Sequence, residues 1–107
     1  MAWIMLSVAG LLEVVWAFAM KQSHGFTRPI PSAVTLVAMI ASFFLLSASM
    51  KSLPLGTAYA VWTGIGALGA FVLGIVALGE PITSLRVLAA VLLAAGLVLM
   101  GLTTGST

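Results

Sequence analysis

The chain has 107 residues, of which 63% are hydrophobic and 6% charged, with a formal net charge of +2 and a mean hydropathy of +1.30. A soluble domain carries about a quarter charged residues, so this composition excludes a water-exposed globular surface and predicts an integral membrane protein. The chain contains no cysteine, which excludes disulfides and thiolate metal sites, and its small net charge does not indicate a nucleic-acid partner.

Four apolar runs follow one another along the chain, and each is long enough to cross a bilayer as a helix. We predict an all-α membrane protein with helices over residues 3–20, 32–50, 57–78 and 85–102, in one transmembrane domain covering residues 1–107. Barrel strands would instead alternate in polarity over about ten residues. Thr83 or Ser84 is a candidate N-cap of the fourth helix, and residues 103–107 are expected to need no structure.

Glu13 lies just past the middle of the first run, WIMLSVAGLLEVVWAFAM, and no other acidic residue lies inside an apolar run. An acidic residue at the centre of a spanning helix costs roughly 2.5–3.5 kcal/mol. A solvated charge on a polar helix face is the alternative, but this helix has no polar face. Because intramembrane ionisable groups usually mark ion or substrate pathways, we predict that Glu13 is functional.

Helical spacing places Trp16 one turn from Glu13 on the same face. Ser42 lies at about the depth of Glu13 on the second helix, where its hydroxyl either orients the carboxylate or bonds to the carbonyl one turn earlier. Tyr59 and Trp62 lie one turn apart on the third helix. Tyr59 suits the interfacial aromatic belt as well as a pocket, whereas the depth of Trp16 and Trp62 favours a pocket.

A carboxylate flanked by indole and phenol rings suits an organic cation, through charge attraction and cation–π contacts. Protons and the cation would then compete for Glu13, and this competition is sufficient for antiport. We expect no metal, no cofactor and no enzymatic activity, because the sequence lacks a nucleophile–base pair, a metal-ligand cluster and a phosphate-binding loop. Glu80 and Arg86 flank a helix start and are expected to cap it or to pair at the surface.

The basic residues give a weak orientation signal. Loops one and three carry Lys21, Arg28 and Arg86, and loop two, on the other side of the membrane, carries Lys51. The positive-inside rule is therefore compatible both with one fixed orientation and with insertion of the same chain in both orientations.

Small residues recur on the third helix, where Gly66, Ala70 and Gly74 form a row at period four. Such rows allow helices to approach closely in lipid, either within one subunit or between subunits, and in so small a protein they favour a homo-oligomer. Gly64 and Gly66 also weaken the helix near its middle and would permit a bend.

Three segments together resemble a known family. They are EVVWA at residues 13–17 followed by Lys21, SHGFT at residues 23–27, and AYAVWTGIG at residues 58–66. In these segments and in its four-helix layout the chain resembles the small multidrug resistance transporters of the drug/metabolite transporter superfamily. Within that family it is similar to the guanidinium exporter subtype, since the drug-exporting subtype typically has a small residue at the position of Trp16.

The resemblance implies a multi-pass protein of the bacterial inner membrane that exports guanidinium, and small substituted guanidines with it, in exchange for protons by alternating access. It also implies an antiparallel homodimer of two oppositely inserted copies, a reading that the weak charge bias fits. Glu13 would bind substrate and protons in turn, and Trp16 and Ser42 would hold its carboxylate by hydrogen bonds. Trp62 would line the pocket, Tyr59 would couple binding to opening, and Gly64 and Gly66 would form a conformational hinge.

The sequence is also compatible with two alternatives. One is a broader exporter of quaternary ammonium or lipophilic cations, which would be admitted if the second-helix face with Ala38, Phe43 and Leu46 opens to lipid. The other is one subunit of a heterodimeric pair, which would transport only together with a second, similar chain.

Overall fold

The computed structural model describes residues 1–104. Within this part of the chain the secondary structure consists of four α-helices and no strand: α1 (Ala2–Gln22), α2 (Pro29–Ser49), α3 (Leu55–Leu78) and α4 (Ser84–Thr104). All four are long and apolar enough to cross a membrane. The predicted all-α fold with four transmembrane helices is therefore confirmed.

The helices extend beyond several of the predicted ends. Lys21 and Gln22 form the last turn of α1, although the prediction placed them in the first loop. Helix α2 begins at Pro29, three residues early, because the fixed φ of proline suits a first turn and Arg28 is extended as the N-cap. Helix α3 begins at Leu55 rather than at residue 57.

Helix α4 begins after Thr83, whose side chain accepts a hydrogen bond from the backbone N–H of Arg86 (3.2 Å) and thus acts as the N-cap. The helix continues to Thr104, so the expectation that residues 103 and 104 need no structure was wrong. The Thr103 hydroxyl donates to the carbonyl of Leu99 (2.9 Å), which lets this polar residue remain helical. The expectation for residues 105–107 lies outside the described residues.

Helix α3 ends at Gly79, which adopts the left-handed conformation (φ 67°) that a residue without Cβ tolerates best. The reversal allows the backbone N–H of Glu80 to bond to the carbonyl of Gly74 (3.1 Å). The chain therefore turns sharply, and the Glu80 side chain returns to the end of the helix pair formed by α1 and α3.

Helix α1 is the centre of the fold, because it packs against both α2 and α3, whereas α4 packs against α3 alone among the described helices. The buried core joins the first three helices and consists of Leu6, Ala9, Leu46, Ala58, Val61 and Trp62. No residue of α4 between positions 84 and 103 is buried. Helix α1, which carries Glu13, is therefore covered on one side by α2 and α3, and α4 lies at the outside of the bundle.

Close approach of α1 and α3 depends on small residues. A Cβ built at Gly10 would lie 2.6 Å from Cγ2 of Ile65 on α3, well inside van der Waals contact. In the predicted row of small residues, Gly66 faces Glu13 and Gly74 faces Glu80. These glycines therefore accommodate side chains of their own chain, so the row is explained by packing within one subunit and gives no separate support for an oligomer.

Candidate functional site

The carboxyl group of Glu13 lies against the backbone of Gly66 on α3. The side chain is partly buried, and its Oε1 atom is fully buried without a hydrogen-bond partner among the described residues. A Cβ at Gly66 would overlap the carboxyl oxygen and carbon and would lie 2.7 Å from Cγ of Glu13. A buried carboxylate without partners is unfavourable, so this oxygen is the acceptor at the site whose hydrogen-bonding capacity is unmet.

Trp16 lies one turn further along α1 and also has a buried polar atom without a hydrogen-bond partner among the described residues. This atom is the indole Nε1, a hydrogen-bond donor. The resemblance implied a hydrogen bond from Trp16 to Glu13, and that bond is absent here. A free donor and a free acceptor therefore lie on one face of α1, at positions that share that face by helical spacing.

Ser42 connects three helices. Its hydroxyl, which is completely buried, donates to the carbonyl of Ala9 on α1 (2.7 Å) and accepts from the indole Nε1 of Trp62 on α3 (2.9 Å). The expected hydrogen bond to Glu13 is therefore absent, because the single hydroxyl proton is already donated to Ala9. The alternative, a bond to the carbonyl one turn earlier on α2, is also wrong.

Four rings from three helices form a continuous row, which we call the aromatic row: Trp16, Phe43, Trp62 and Tyr59. Phe43 contacts Trp16 edge-on (ring centroids 6.2 Å apart, planes at 71°) and Trp62 in a tilted arrangement (5.5 Å). Trp62 in turn contacts Tyr59 (5.7 Å). Edge-on and tilted contacts of this kind stabilise aromatic pairs beyond simple burial, so each ring is held in place by its neighbours.

Phe43 is the member of this row that was not predicted as a site residue. It was named only with Ala38 and Leu46, as part of a second-helix face that would admit bulkier cations if it opened to lipid. Ala38 and Leu46 are buried in this conformation, and only Phe43, at 47% exposure, is open. Helical spacing on one chain segment cannot reveal a contact between three helices. The one available signal was its position next to Ser42, at the depth of the candidate pocket.

The two glycines predicted as a hinge have different neighbours. A Cβ at Gly64 would lie 2.9 Å from Cδ1 of Leu97 on α4, whereas Gly66 faces Glu13 on α1. Helix α3 is a single uninterrupted helix from Leu55 to Leu78 in this conformation. The hinge role remains a prediction.

Charged residues gather at the end of the bundle where α1 and α3 finish. Glu80 Oε2 lies 3.6 Å from Lys21 Nζ, and Glu80 Oε1 lies 4.0 Å from a guanidinium nitrogen of Arg86. The Arg86 guanidinium also lies over the ring of Phe71 (5.2 Å). The expected surface pairing of Glu80 is confirmed, and these ion pairs connect the third loop to the last turn of α1 and the first turn of α4.

The donor set does not suggest a metal. Within residues 1–104 no three His, Asp or Glu side chains are grouped closely enough to hold a metal ion. The chemistry available at the site is instead one carboxylate, an indole N–H donor and a row of ring faces.

Comparison with known proteins places these features in a family. Residues 1–93 match the family described as Small Multidrug Resistance protein. The chain belongs to the small multidrug resistance family. With four apolar helices and this family membership, it is a multi-pass membrane protein of the bacterial inner membrane.

Several bacterial proteins are similar to this chain over nearly its whole length. A protein of Yersinia pseudotuberculosis named guanidinium exporter is 62% identical over 98 residues, which cover 92% of this chain and 94% of that protein. Proteins of Citrobacter freundii and Escherichia coli K12 with the same name are each 55% identical over 104 residues, 97% of this chain and 99% of those proteins. The matched ranges include Glu13 and the aromatic row.

Proposed function

We propose that this chain is a guanidinium exporter that exchanges the cation for protons, and hence a transporter rather than an enzyme. The names of its relatives support the substrate, and the chemistry of the site supports the assignment independently. Guanidinium is planar, carries N–H donors on its edge that match a carboxylate, and has weakly hydrated faces that stack on aromatic rings.

The observation that carries the proposal is the unpartnered carboxyl oxygen of Glu13, which lies one helical turn from Trp16 at the end of the aromatic row. A guanidinium edge would donate to Glu13, and ring faces from Trp16 and Trp62 would cover the cation. Ser42 holds Trp62 by its indole N–H, so that this ring is fixed before the substrate arrives. Ser42 therefore serves Trp62 rather than Glu13 in the conformation described.

Competition for Glu13 provides the coupling. A proton that binds the carboxyl group neutralises it and displaces the cation, and a cation displaces the proton. If the chain changes its access from one side to the other only when Glu13 is occupied, each cation that leaves is exchanged for protons that enter. Tyr59, more than half exposed at the outer end of the aromatic row, would link occupancy of the site to its opening.

We further propose that the working unit is an antiparallel homodimer. Helix α4 has no buried residue between positions 84 and 103 and packs on α3 alone, so a second copy would cover apolar surface that the single chain leaves open. The weak charge bias between the loops fits insertion in both orientations. The alternative of a heterodimer with a different chain is decided by whether this chain transports by itself.

The test is transport into liposomes that contain only this protein. Guanidinium should move in one direction while protons move in the other, and Glu13→Gln should abolish this exchange. Proton-coupled guanidinium transport that persists in Glu13→Gln would contradict the proposal.

A second candidate is a broader exporter of quaternary ammonium ions. The half-exposed rings of Phe43 and Tyr59 favour it, because they offer apolar surface to a bulky cation. Such a cation has no N–H to donate to Glu13 and would depend on the rings alone. Equal transport of tetraalkylammonium and guanidinium would select this function.

A further inference from the structure

We infer that Gly66 is a positioning residue for Glu13: the absence of a side chain at Gly66 makes the space in which the carboxyl group lies. This inference rests on the proposed role of Glu13 in binding guanidinium and protons. It differs from the expected hinge, because it concerns a contact with α1 rather than a bend within α3.

The geometry that supports it is a direct overlap. A Cβ at Gly66 would coincide with the space of the Glu13 carboxyl group and would crowd Cγ as well, at 2.7 Å. A rotation of the terminal carboxyl group alone therefore does not relieve the overlap, and the whole side chain would have to move. The carboxyl oxygen in question is the buried one without a partner, which is the atom that the proposed binding uses.

Neighbouring glycines of α3 show that this contact is specific to Gly66. Gly64 faces Leu97, and Gly69 faces Val14, both apolar side chains. Gly69 is therefore a matched control, since a methyl group there would crowd the same pair of helices, α1 and α3, without touching Glu13.

The first part of the experiment measures thermal stability in detergent for Gly66→Ala and Gly69→Ala, each in the native background and in Glu13→Ala. We expect Gly66→Ala to lower Tm by about 5 °C or more when Glu13 is present and to have little effect when Glu13 is replaced. Gly69→Ala should lower Tm equally in both backgrounds. An equal loss in both backgrounds for Gly66→Ala would overturn the inference and favour a role in the helix itself.

The second part measures guanidinium binding over a pH series, from the fluorescence of the three tryptophans. Gly66→Ala should weaken binding about tenfold and shift the pH at which protons displace the cation, while Gly69→Ala should follow the native profile. A native profile in Gly66→Ala would overturn the inference. If the native protein itself binds no guanidinium, the proposed function fails, but the stability measurements still decide the role of Gly66.

Discussion

Glu13 is partly buried and Ser42 is fully buried, but their side-chain oxygen atoms differ in their hydrogen bonds. Ser42 uses its donor on Ala9 and its acceptor on Trp62, whereas one oxygen of Glu13 has no partner within the described residues. A satisfied network rigidifies the pocket, and an unsatisfied group is where a ligand gains most from binding. Under the proposed function, Ser42 belongs to the framework of the site and Glu13 binds the ligand.

Replacement of Ser42 by Ala should destabilise the protein by about 1–3 kcal/mol, because it leaves the buried Trp62 N–H without an acceptor. Guanidinium binding should weaken as well, since the ring of Trp62 is then free to turn. Unfolding monitored by tryptophan fluorescence measures the first effect. Ser47→Ala on the exposed side of α2 is the control and should change neither quantity; an unchanged stability in Ser42→Ala would contradict the framework role.

Phe43→Leu tests the aromatic row at the residue that joins its two tryptophans. Aromatic pairs contribute about 0.5–1.5 kcal/mol each beyond burial, so loss of both contacts should weaken guanidinium binding several-fold through disorder of Trp16 and Trp62. The adjacent Phe44, 73% exposed, provides the matched control Phe44→Leu, which should bind normally. Equal behaviour of the two variants in a binding titration would show that the row does not position the indoles.

At the scale of the helices, α1 and α3 are held together by complementary packing of glycine backbone against larger side chains. The backbone of Gly10 meets the β-branched side chain of Ile65, which has few rotamers and cannot easily move aside. Glu80 and Lys21 add an ion pair at the end of the same helix pair, but pairs of this exposure contribute little.

Gly10→Ala should therefore destabilise the protein by about 1–3 kcal/mol through overpacking. Gly56→Ala, in the first turn of α3 with no neighbour within 4 Å, should instead be neutral or stabilise by up to about 1 kcal/mol, as expected for alanine in a helix. Denaturation in mixed detergent measures both changes. A Gly10→Ala variant as stable as Gly56→Ala would show that α1 and α3 can move apart at Gly10 without loss of folding free energy.

The number and order of the helices could be predicted from the apolar runs, since each run is as long as a bilayer is thick. Their ends could not be predicted as well, because they depend on details such as the extended Arg28 before Pro29 and the side-chain bond of Thr103. Contacts between side chains on different helices were the features that the sequence predicted least well. Nothing in the spacing on α2 indicates that Ser42 faces the carbonyl of Ala9 or that Phe43 lies between two tryptophans.

At the scale of the whole molecule, the first three helices supply all the residues of the candidate site, and α4 packs outside them on α3. Residues 84–103 of α4 include no buried residue, so lipid or a second copy must cover the apolar surface of this helix. In the proposed antiparallel homodimer, a second copy of the same chain would cover α4. This dimer also requires the chain to insert in both orientations, which can be tested without a transport assay.

Because the native chain has no cysteine, single cysteines report orientation cleanly. Ser52→Cys in the second loop and His24→Cys in the first should each be labelled by an impermeant maleimide from both sides of the membrane, in roughly equal shares, if the chain inserts both ways. Exclusive labelling of Ser52→Cys from one side and of His24→Cys from the other would establish one fixed orientation.

The central claim is that Glu13 of this single chain exchanges guanidinium for protons, and liposome transport tests it most directly. Liposomes containing only this protein would be given guanidinium or a tetraalkylammonium ion, with Glu13→Gln in parallel. We predict proton-coupled guanidinium transport, little tetraalkylammonium transport, and neither in Glu13→Gln. Absence of guanidinium transport by the native chain, or its persistence in Glu13→Gln, would contradict the account.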